Sequence, residues 1–171
     1  MSTFKRKLAV ALAVAAAIVA VAVPANASSG EFPRWINVSS QLCMGASGGK
    51  MTAGTPIIQW WCNGNDDQYW SWTFAEEGDY QPLLNNKDNN KCLDVLGSSS
   101  DAGAKLILAD CNGSDSQRWA YFNEPVLGGS LLKNKHSGLV IGTSGGNRSI
   151  GTPLIQWPWS GVSHPDEEWI L

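Results

Sequence analysis

The sequence predicts an all-β fold made of three copies of one unit closed on each other. Three observations carry this. A stretch from Gly54 to Trp70 is written again from Gly103 to Trp119 and from Gly151 to Trp169, with the closing tryptophans 49 and 50 residues apart. Cys43 and Cys92 are also 49 apart, as are Cys62 and Cys111, so the period runs through the whole unit. No apolar pattern of helical period occurs; short β-branched and aromatic runs alternate with Gly, Asn and Asp punctuation. A period in this range marks a repeat architecture. One unit cannot bury its own apolar face, so the copies must pack together, and closure also removes exposed sheet edges.

The chain opens with a segment outside this scheme. Lys5-Arg6-Lys7 is a basic start, Leu8 to Val23 an apolar run, and Ala25-Asn26-Ala27 a small-residue cleavage sequence, the pattern of a secretory signal peptide. A membrane anchor is the alternative, opposed by the short run and the cleavage sequence. Residues 1–27 are expected to be removed, leaving 28–171 as one secreted domain with repeats at about 35–80, 81–125 and 130–171. Losing those three cations takes the formal charge from −3 to −6. An acidic chain without a basic cluster argues against nucleic acid as a partner. No other run is long and apolar enough to predict a membrane span.

Within repeat 1, Trp35 to Val38, Leu42-Cys43-Met44 and Ile57 to Trp61 read as strands, with Ser47-Gly48-Gly49 a loop. Asn63-Gly64 is a turn dipeptide. Trp70 to Phe74 alternates apolar with polar, the pattern of a half-buried strand. Repeat 2 begins near Leu83-Leu84 and repeat 3 at Leu131-Leu132, with Asn123 to Ser130 the loop between them. Each repeat thus has about four short strands. The acidic turn Glu76-Glu77-Gly78-Asp79 reads as solvated rather than catalytic.

Cys43 and Cys62, and likewise Cys92 and Cys111, are 19 residues apart. In an oxidising compartment this predicts one disulfide within each of the first two repeats, worth roughly 3 kcal/mol each in the chain-entropy model. Zinc is the rival reading, but no C-x-x-C pair occurs and the two histidines are distant, so no metal or cofactor is expected. In repeat 3, Val140 and Trp159 stand at the two cysteine positions, predicting an apolar contact in place of the bond.

The triplicated Gln-x-Trp pattern, with Asn-Gly before it and Cys92-Leu93-Asp94-Val95, resembles the ricin B-chain type lectin family from about Trp35 to Leu171. The resemblance implies a β-trefoil that binds carbohydrate. In that family a carboxylate in Cys-Leu-Asp-Val accepts hydrogen bonds from neighbouring sugar hydroxyls, an aromatic residue two before the second Cys stacks on the sugar ring, and an Asn before Gln-x-Trp adds polar contacts. Such chemistry is sound: an ionised carboxylate only accepts, and a ring face offers apolar area.

Carried onto this chain, the resemblance implies Asp94, Asn112, Ser116 and Gln117 in repeat 2, Trp60, Asp67 and Gln68 in repeat 1, and Trp157 in repeat 3. No repeat holds the whole set. Repeat 2 has Asp94 but Ala109 at the aromatic position and Ser116 at the Asn position. Repeats 1 and 3 have Trp60 and Trp157 but Gly45 and Gly142 at the carboxylate position. Asp67 and Asp166 stand at the Asn positions, the latter after a two-residue insertion, and Glu167 replaces the third Gln. The best single site is therefore expected around Asp94.

Several alternatives stay open at this level. Gln59-Trp60 and Gln156-Trp157 form a modified sugar site, or strand alternation turns each Gln away from its Trp. Gln68 and Gln117 satisfy buried backbone groups as well as any ligand. Ionised Glu167 cannot donate, and is expected to be exposed, paired with a cationic donor, or protonated. An enzyme is disfavoured, since no nucleophile-base pair or phosphate loop appears and His136 and His164 have no evident partner. A trefoil that has lost sugar binding and meets a protein through Gly145 to Arg148 or Val162 to Pro165 is the runner-up. Sequons at Asn37, Asn112 and Asn147 matter only in a host that glycosylates.

Overall fold

The computed structural model describes residues 33–72, 77–85, 91–124, 128–161 and 163–171. The expected signal peptide, Thr73-Phe74 at the end of a predicted strand, Glu76 of the acidic turn and Val162 lie outside them.

Twelve strands occur among the described residues, four per repeat. Repeat 1 holds β1 (Ile36–Asn37), β2 (Cys43–Ala46), β3 (Ile57–Trp60) and β4 (Trp70–Trp72). Repeat 2 holds β5 (Gln81–Asn85), β6 (Lys91–Val95), β7 (Leu106–Asp110) and β8 (Arg118–Glu124). Repeat 3 holds β9 (Gly129–Asn134), β10 (Val140–Thr143), β11 (Leu154–Trp157) and β12 (Trp169–Ile170). The helical elements among these residues are one-turn 3-10 segments, and none is long and apolar enough to cross a membrane.

The first and fourth strands of the repeats form a ring. β1 pairs with β12, β12 with β9, β9 with β8, β8 with β5 and β5 with β4, all antiparallel. The Trp70 N–H donates to the Pro33 carbonyl at 2.9 Å, carrying β4 back to the segment before β1. The second and third strands form hairpins, β2–β3, β6–β7 and β10–β11. Ring and hairpins together make the β-trefoil.

Each repeat ends its motif at the same kind of place. Trp70, Trp119 and Trp169 are fully buried. Their indole N–H groups donate to the carbonyls of Met44 (3.0 Å), Leu93 (3.0 Å) and Ile141 (3.1 Å), each in the second strand of the same repeat. A buried indole is large enough to fill the interior, and its one donor must be satisfied there.

The hairpins hold one another through a cyclic set of backbone bonds. Gly54 N–H donates to Leu108 O (2.7 Å), Gly103 N–H to Gln156 O (2.8 Å) and Gly151 N–H to Gln59 O (2.8 Å). In return Leu108, Gln156 and Gln59 donate to Thr55, Ala104 and Thr152 at 2.8, 2.9 and 3.0 Å. The three glycines sit at φ of 86°, 87° and 79°, left-handed backbone that side chains resist. This is why the recurrent stretch begins with Gly.

Two glutamine side chains strengthen the same ring. Gln59 is fully buried; its amide donates to the carbonyls of Asn147 (2.7 Å) and Ser149 (2.9 Å), and its oxygen accepts from Ser40 Oγ (2.7 Å). Gln156 does the same to Ser99 and Asp101 (both 2.9 Å) and Ser137 Oγ (2.8 Å). The reading of Gln59 and Gln156 as sugar ligands is corrected: burial and three partners each commit them to joining repeats. In repeat 2 the position is Leu108, an apolar member of the core against which Met51 packs.

Both predicted disulfides are formed, Cys43–Cys62 and Cys92–Cys111, each with Cα atoms 5.1 Å apart. In repeat 3, Val140 is buried and Trp159 half-exposed; the two line one shallow hollow with Phe122, Leu131 and Lys133. Asn37 is buried and donates to the carbonyls of Asp166 (2.9 Å) and Glu168 (3.3 Å), so folding occupies that sequon.

Replacing Gln156 with Leu removes three hydrogen bonds, to Ser137 Oγ and the Ser99 and Asp101 carbonyls. Stability is expected to fall by about 1–3 kcal/mol, read as a lower urea midpoint with unchanged slope.

Candidate functional site

Strand register decides which side chains meet on the outside. Directly opposed residues of an antiparallel pair share a face. In β2–β3, Cys43 opposes Trp60 and Gly45 opposes Ile58; in β10–β11, Val140 opposes Trp157 and Gly142 opposes Ile155. In β6–β7 the same places are Cys92 with Ala109 and Asp94 with Ile107. The outer face of every hairpin therefore carries the strand-carboxylate position and the aromatic position together.

Two concave pockets open on these faces. The repeat 1 pocket, about 370 Å³, is lined by Gly48, Gly49, Ile58, Trp60, Asn63 and Asp67 among others. The repeat 3 pocket, about 450 Å³, includes Gly146, Ile155, Trp157, Ser160, His164 and Asp166. Trp60 is 39% exposed and Trp157 44%, so each offers an indole face at the rim. Each indole reaches toward a neighbouring repeat: a methyl group placed on Gly151 would stand 3.7 Å from Trp60 Cζ3, and one on Gly103 3.7 Å from Trp157 Cζ3.

Each pocket also holds a carboxylate. Asp67 lies in the 3-10 turn Asp66–Gln68 and Asp166 in the equivalent turn Pro165–Glu167. Asp67 is nearly buried, and burial pushes its carboxyl above the ordinary 3.8; hydrogen bonds from its own and Ala46's backbone N–H oppose that, and the Asp66 charge adds to it. His164, for which the sequence showed no partner, has Nδ1 3.9 Å from Asp166 Oδ1 at the edge of the repeat 3 pocket. In repeats 1 and 3, where the strand position is Gly, the turn thus brings a carboxylate to the pocket.

Repeat 2 is built otherwise. Asp94 is buried to 7% exposure; Oδ1 accepts from the Val95 N–H (2.7 Å) and Oδ2 from Gln117 Nε2 (2.9 Å). Ser116 is buried, its hydroxyl bonded with those of Ser114 (2.9 Å) and Ser98 (3.2 Å). Asn112 is exposed, and its Oδ1 accepts from the Ser114 N–H at 2.9 Å. The structure brings Asp94 and Gln117 together, with Ala109 where the other repeats place Trp.

The motif glutamines clasp their own turns. Gln68 donates to Trp61 O (2.6 Å) and accepts from the Asn63 N–H (3.0 Å); Gln117 donates to Asp110 O (2.9 Å) and accepts from the Asn112 N–H (2.8 Å). Glu167 keeps the accepted bond, from the Ser160 N–H (2.9 Å), and replaces the donated one by accepting from Ser160 Oγ (3.0 Å), while 2% exposed. That overturns two of the alternatives, exposure and a cationic partner: two neutral donors serve it. Ser160, which follows Trp159 as Asn63 follows Cys62, was missed from sequence.

The chain matches the model of the ricin-type beta-trefoil lectin domain over residues 34–169. Among solved structures it is similar to a designed threefold-symmetric protein, ThreeFoil, at 26% identity and TM-score 0.71, covering 80% of this chain and 94% of that one. It is similar to an exo-beta-1,3-galactanase from Clostridium thermocellum at 23% identity and TM-score 0.74, over 83% of this chain and 30% of that one. A ricin B-like lectin of Macrolepiota procera, solved with lactose, aligns at 16% identity and TM-score 0.63, over 82% and 95% of the two chains. No curated protein gives a significant match.

The raised Asp67 carboxyl predicts a pH signature. Protonated Asp67 is favoured in the fold, so its contribution to stability is full below 3.8 and is lost as pH rises through the elevated value. Asp67→Asn is expected to be more stable than the wild type at pH 7, with the gap closing below pH 3.8, measured by urea unfolding at both pH values.

Proposed function

Because the chain belongs to the ricin-type beta-trefoil lectin domain family, we propose that it is a carbohydrate-binding protein whose sugars sit in the shallow outer pockets of repeats 1 and 3. One observation carries this reading: an exposed tryptophan and a carboxylate line each pocket together. The indole covers the apolar face of a sugar ring while an acceptor-only group meets its hydroxyls. Trp60, Asp67 and Trp157 are the contacts in this reading, with Gln68 shaping the turn beneath them. Asp94, Asn112, Ser116 and Gln117 form a weaker third place, since Ala109 gives no ring to stack on.

Pockets this open hold single sugars weakly. Two on one chain favour a polysaccharide or clustered glycans through effective concentration. The two disulfides and the expected signal peptide support action outside the cytoplasm, without catalysis.

Capture on immobilised galactan, xylan, mannan and lactose tests the reading, galactan and lactose being suggested by the relatives' names. Trp60→Ala and Trp157→Ala are each expected to weaken retention by roughly tenfold, about 1.4 kcal/mol, and the double variant to abolish it. Full retention by the folded double variant removes both platforms from the site. A wild type that binds no sugar and captures a protein instead returns the fold to the interaction-module reading.

A further inference from the structure

Repeat 3 departs from the other two beside Trp157, where three positions change together. Cys43 is bonded to Cys62 in repeat 1 and Cys92 to Cys111 in repeat 2; Val140 and Trp159 stand in their places. The residue opposing the strand cysteine is Ile36 in repeat 1 and Leu84 in repeat 2. Opposite Val140 it is Lys133. A bridge and an apolar neighbour have thus given way to an indole and a cation. The result is a hollow of about 240 Å³ lined by Phe122, Leu131, Lys133, Gly138, Val140 and Trp159. Leu131 and Val140 are buried there, yet both lie outside the central core cluster. Trp159 is 43% exposed, so part of its indole stays available. The Lys133 ammonium stands 5.8 Å from the centre of the Phe122 ring, and no carboxylate pairs with it among the described residues.

Strand register joins this hollow to the repeat 3 pocket. Phe122 opposes Leu131, Lys133 opposes Val140, and Val140 opposes Trp157. Opposed residues share a face, as do residues two apart on a strand. One face therefore runs from Phe122 through Leu131, Lys133 and Val140 to Trp157. Further along the chain Trp159 lines the hollow, and the next residue, Ser160, lines the pocket. A ligand longer than one sugar unit that lies on Trp157 meets the hollow next. The two cavities differ in charge: Asp166 and Glu167 line the pocket, whereas Lys133 is the charged residue of the hollow. We propose that the hollow is a second subsite of repeat 3, and that it takes a sugar unit bearing a carboxylate, joined to a neutral unit held on Trp157. This rests on the carbohydrate reading and deepens it by naming the substrate class. Trp159 and Phe122 offer apolar area to the sugar ring, and the donor-only Lys133 ammonium meets the carboxylate. The ligand is a neutral polysaccharide with scattered uronate units. A continuous polyanion is disfavoured, because the chain is acidic and the adjoining pocket holds two acids.

The test measures retention of the full chain on xylan and galactan bearing glucuronate side units, and on the same polymers after carboxyl reduction, which turns each uronate into a neutral sugar. Circular dichroism checks folding. The wild type is expected to be held roughly tenfold more tightly by the acidic forms, about the effect of one charge-assisted hydrogen bond, with the difference shrinking at high salt. Lys133→Met is expected to cancel the preference and Lys133→Arg to keep it; Lys133→Gln serves if Lys133→Met does not fold. Trp159→Ala is expected to lower retention on the acidic forms by roughly tenfold. Equal retention of acidic and reduced polymers by the wild type, a preference that survives in Lys133→Met, or unchanged retention in Trp159→Ala overturns the inference and leaves the carbohydrate reading in place. Sedimentation of the wild type and Trp159→Ala addresses a rival occupant: a dimer lost in the variant gives the hollow to a second copy of the chain and overturns the inference. A wild type retained on neither form of either polymer overturns both readings.

Discussion

The rest of this structure depends on the cyclic backbone hydrogen bonding that ties the three hairpins together. Each hairpin donates a glycine N–H to the next and, on the following residue's carbonyl, accepts an N–H in exchange. The loop before each third strand thus completes its bonding in another copy. The third strand of one copy has its missing partners in another, so closure is a condition of satisfying polar groups at the centre as well as of burying apolar area. Gln59 and Gln156 extend the same logic to side chains, reaching across to loop carbonyls of another repeat.

The pockets inherit their shape from that closure. Trp60 belongs to repeat 1 but rests against Gly151 of repeat 3, and Trp157 rests against Gly103 of repeat 2. Asn37, from the first strand of the chain, grips the turn that bears Asp166 near its end. The repeat 1 pocket is thus a joint property of two copies, Gly151 lining it beside Trp60. The burial that raises the Asp67 carboxyl reflects the same arrangement: a charged group is kept in a nearly buried bay at some expense to the fold.

Divergence among the three copies follows the two faces of the hairpins. Inward positions carry apolar residues or glutamines tied at both ends, where a lost partner is costly. Outward positions tolerate Asp, Gly, Trp and Ala, because water satisfies what the protein does not. Even there the exchanges are coupled. A methyl group on Gly45 would stand 2.6 Å from Asp67 Oδ2, so the strand position and the turn residue of repeat 1 share one space. Glu167 is coupled in the same way to Ser160, whose hydroxyl takes the place of the carbonyl that the glutamines face.

Read by itself, the sequence determined the threefold unit, the strand order, the two disulfides and the burial of Trp70, Trp119 and Trp169. These are periodic or local: a repeat is visible at any fixed spacing, and a tryptophan at the end of each copy has nowhere to go but the shared interior. Trp60, Asp94 and Trp157 also share the outer faces of their hairpins as alternation requires, while Asp67 lies in a 3-10 turn. What only the tertiary structure decided was how those positions combine. Asp67 reads as a replacement for Asn until Gly45 is seen to leave the bay that its carboxylate fills, 22 residues away along the chain. Gln59 reads as a neighbour of Trp60 until its partners turn out to lie in another repeat. Steric exclusion and cross-repeat hydrogen bonds act between residues distant in sequence, so neither leaves a trace at fixed spacing.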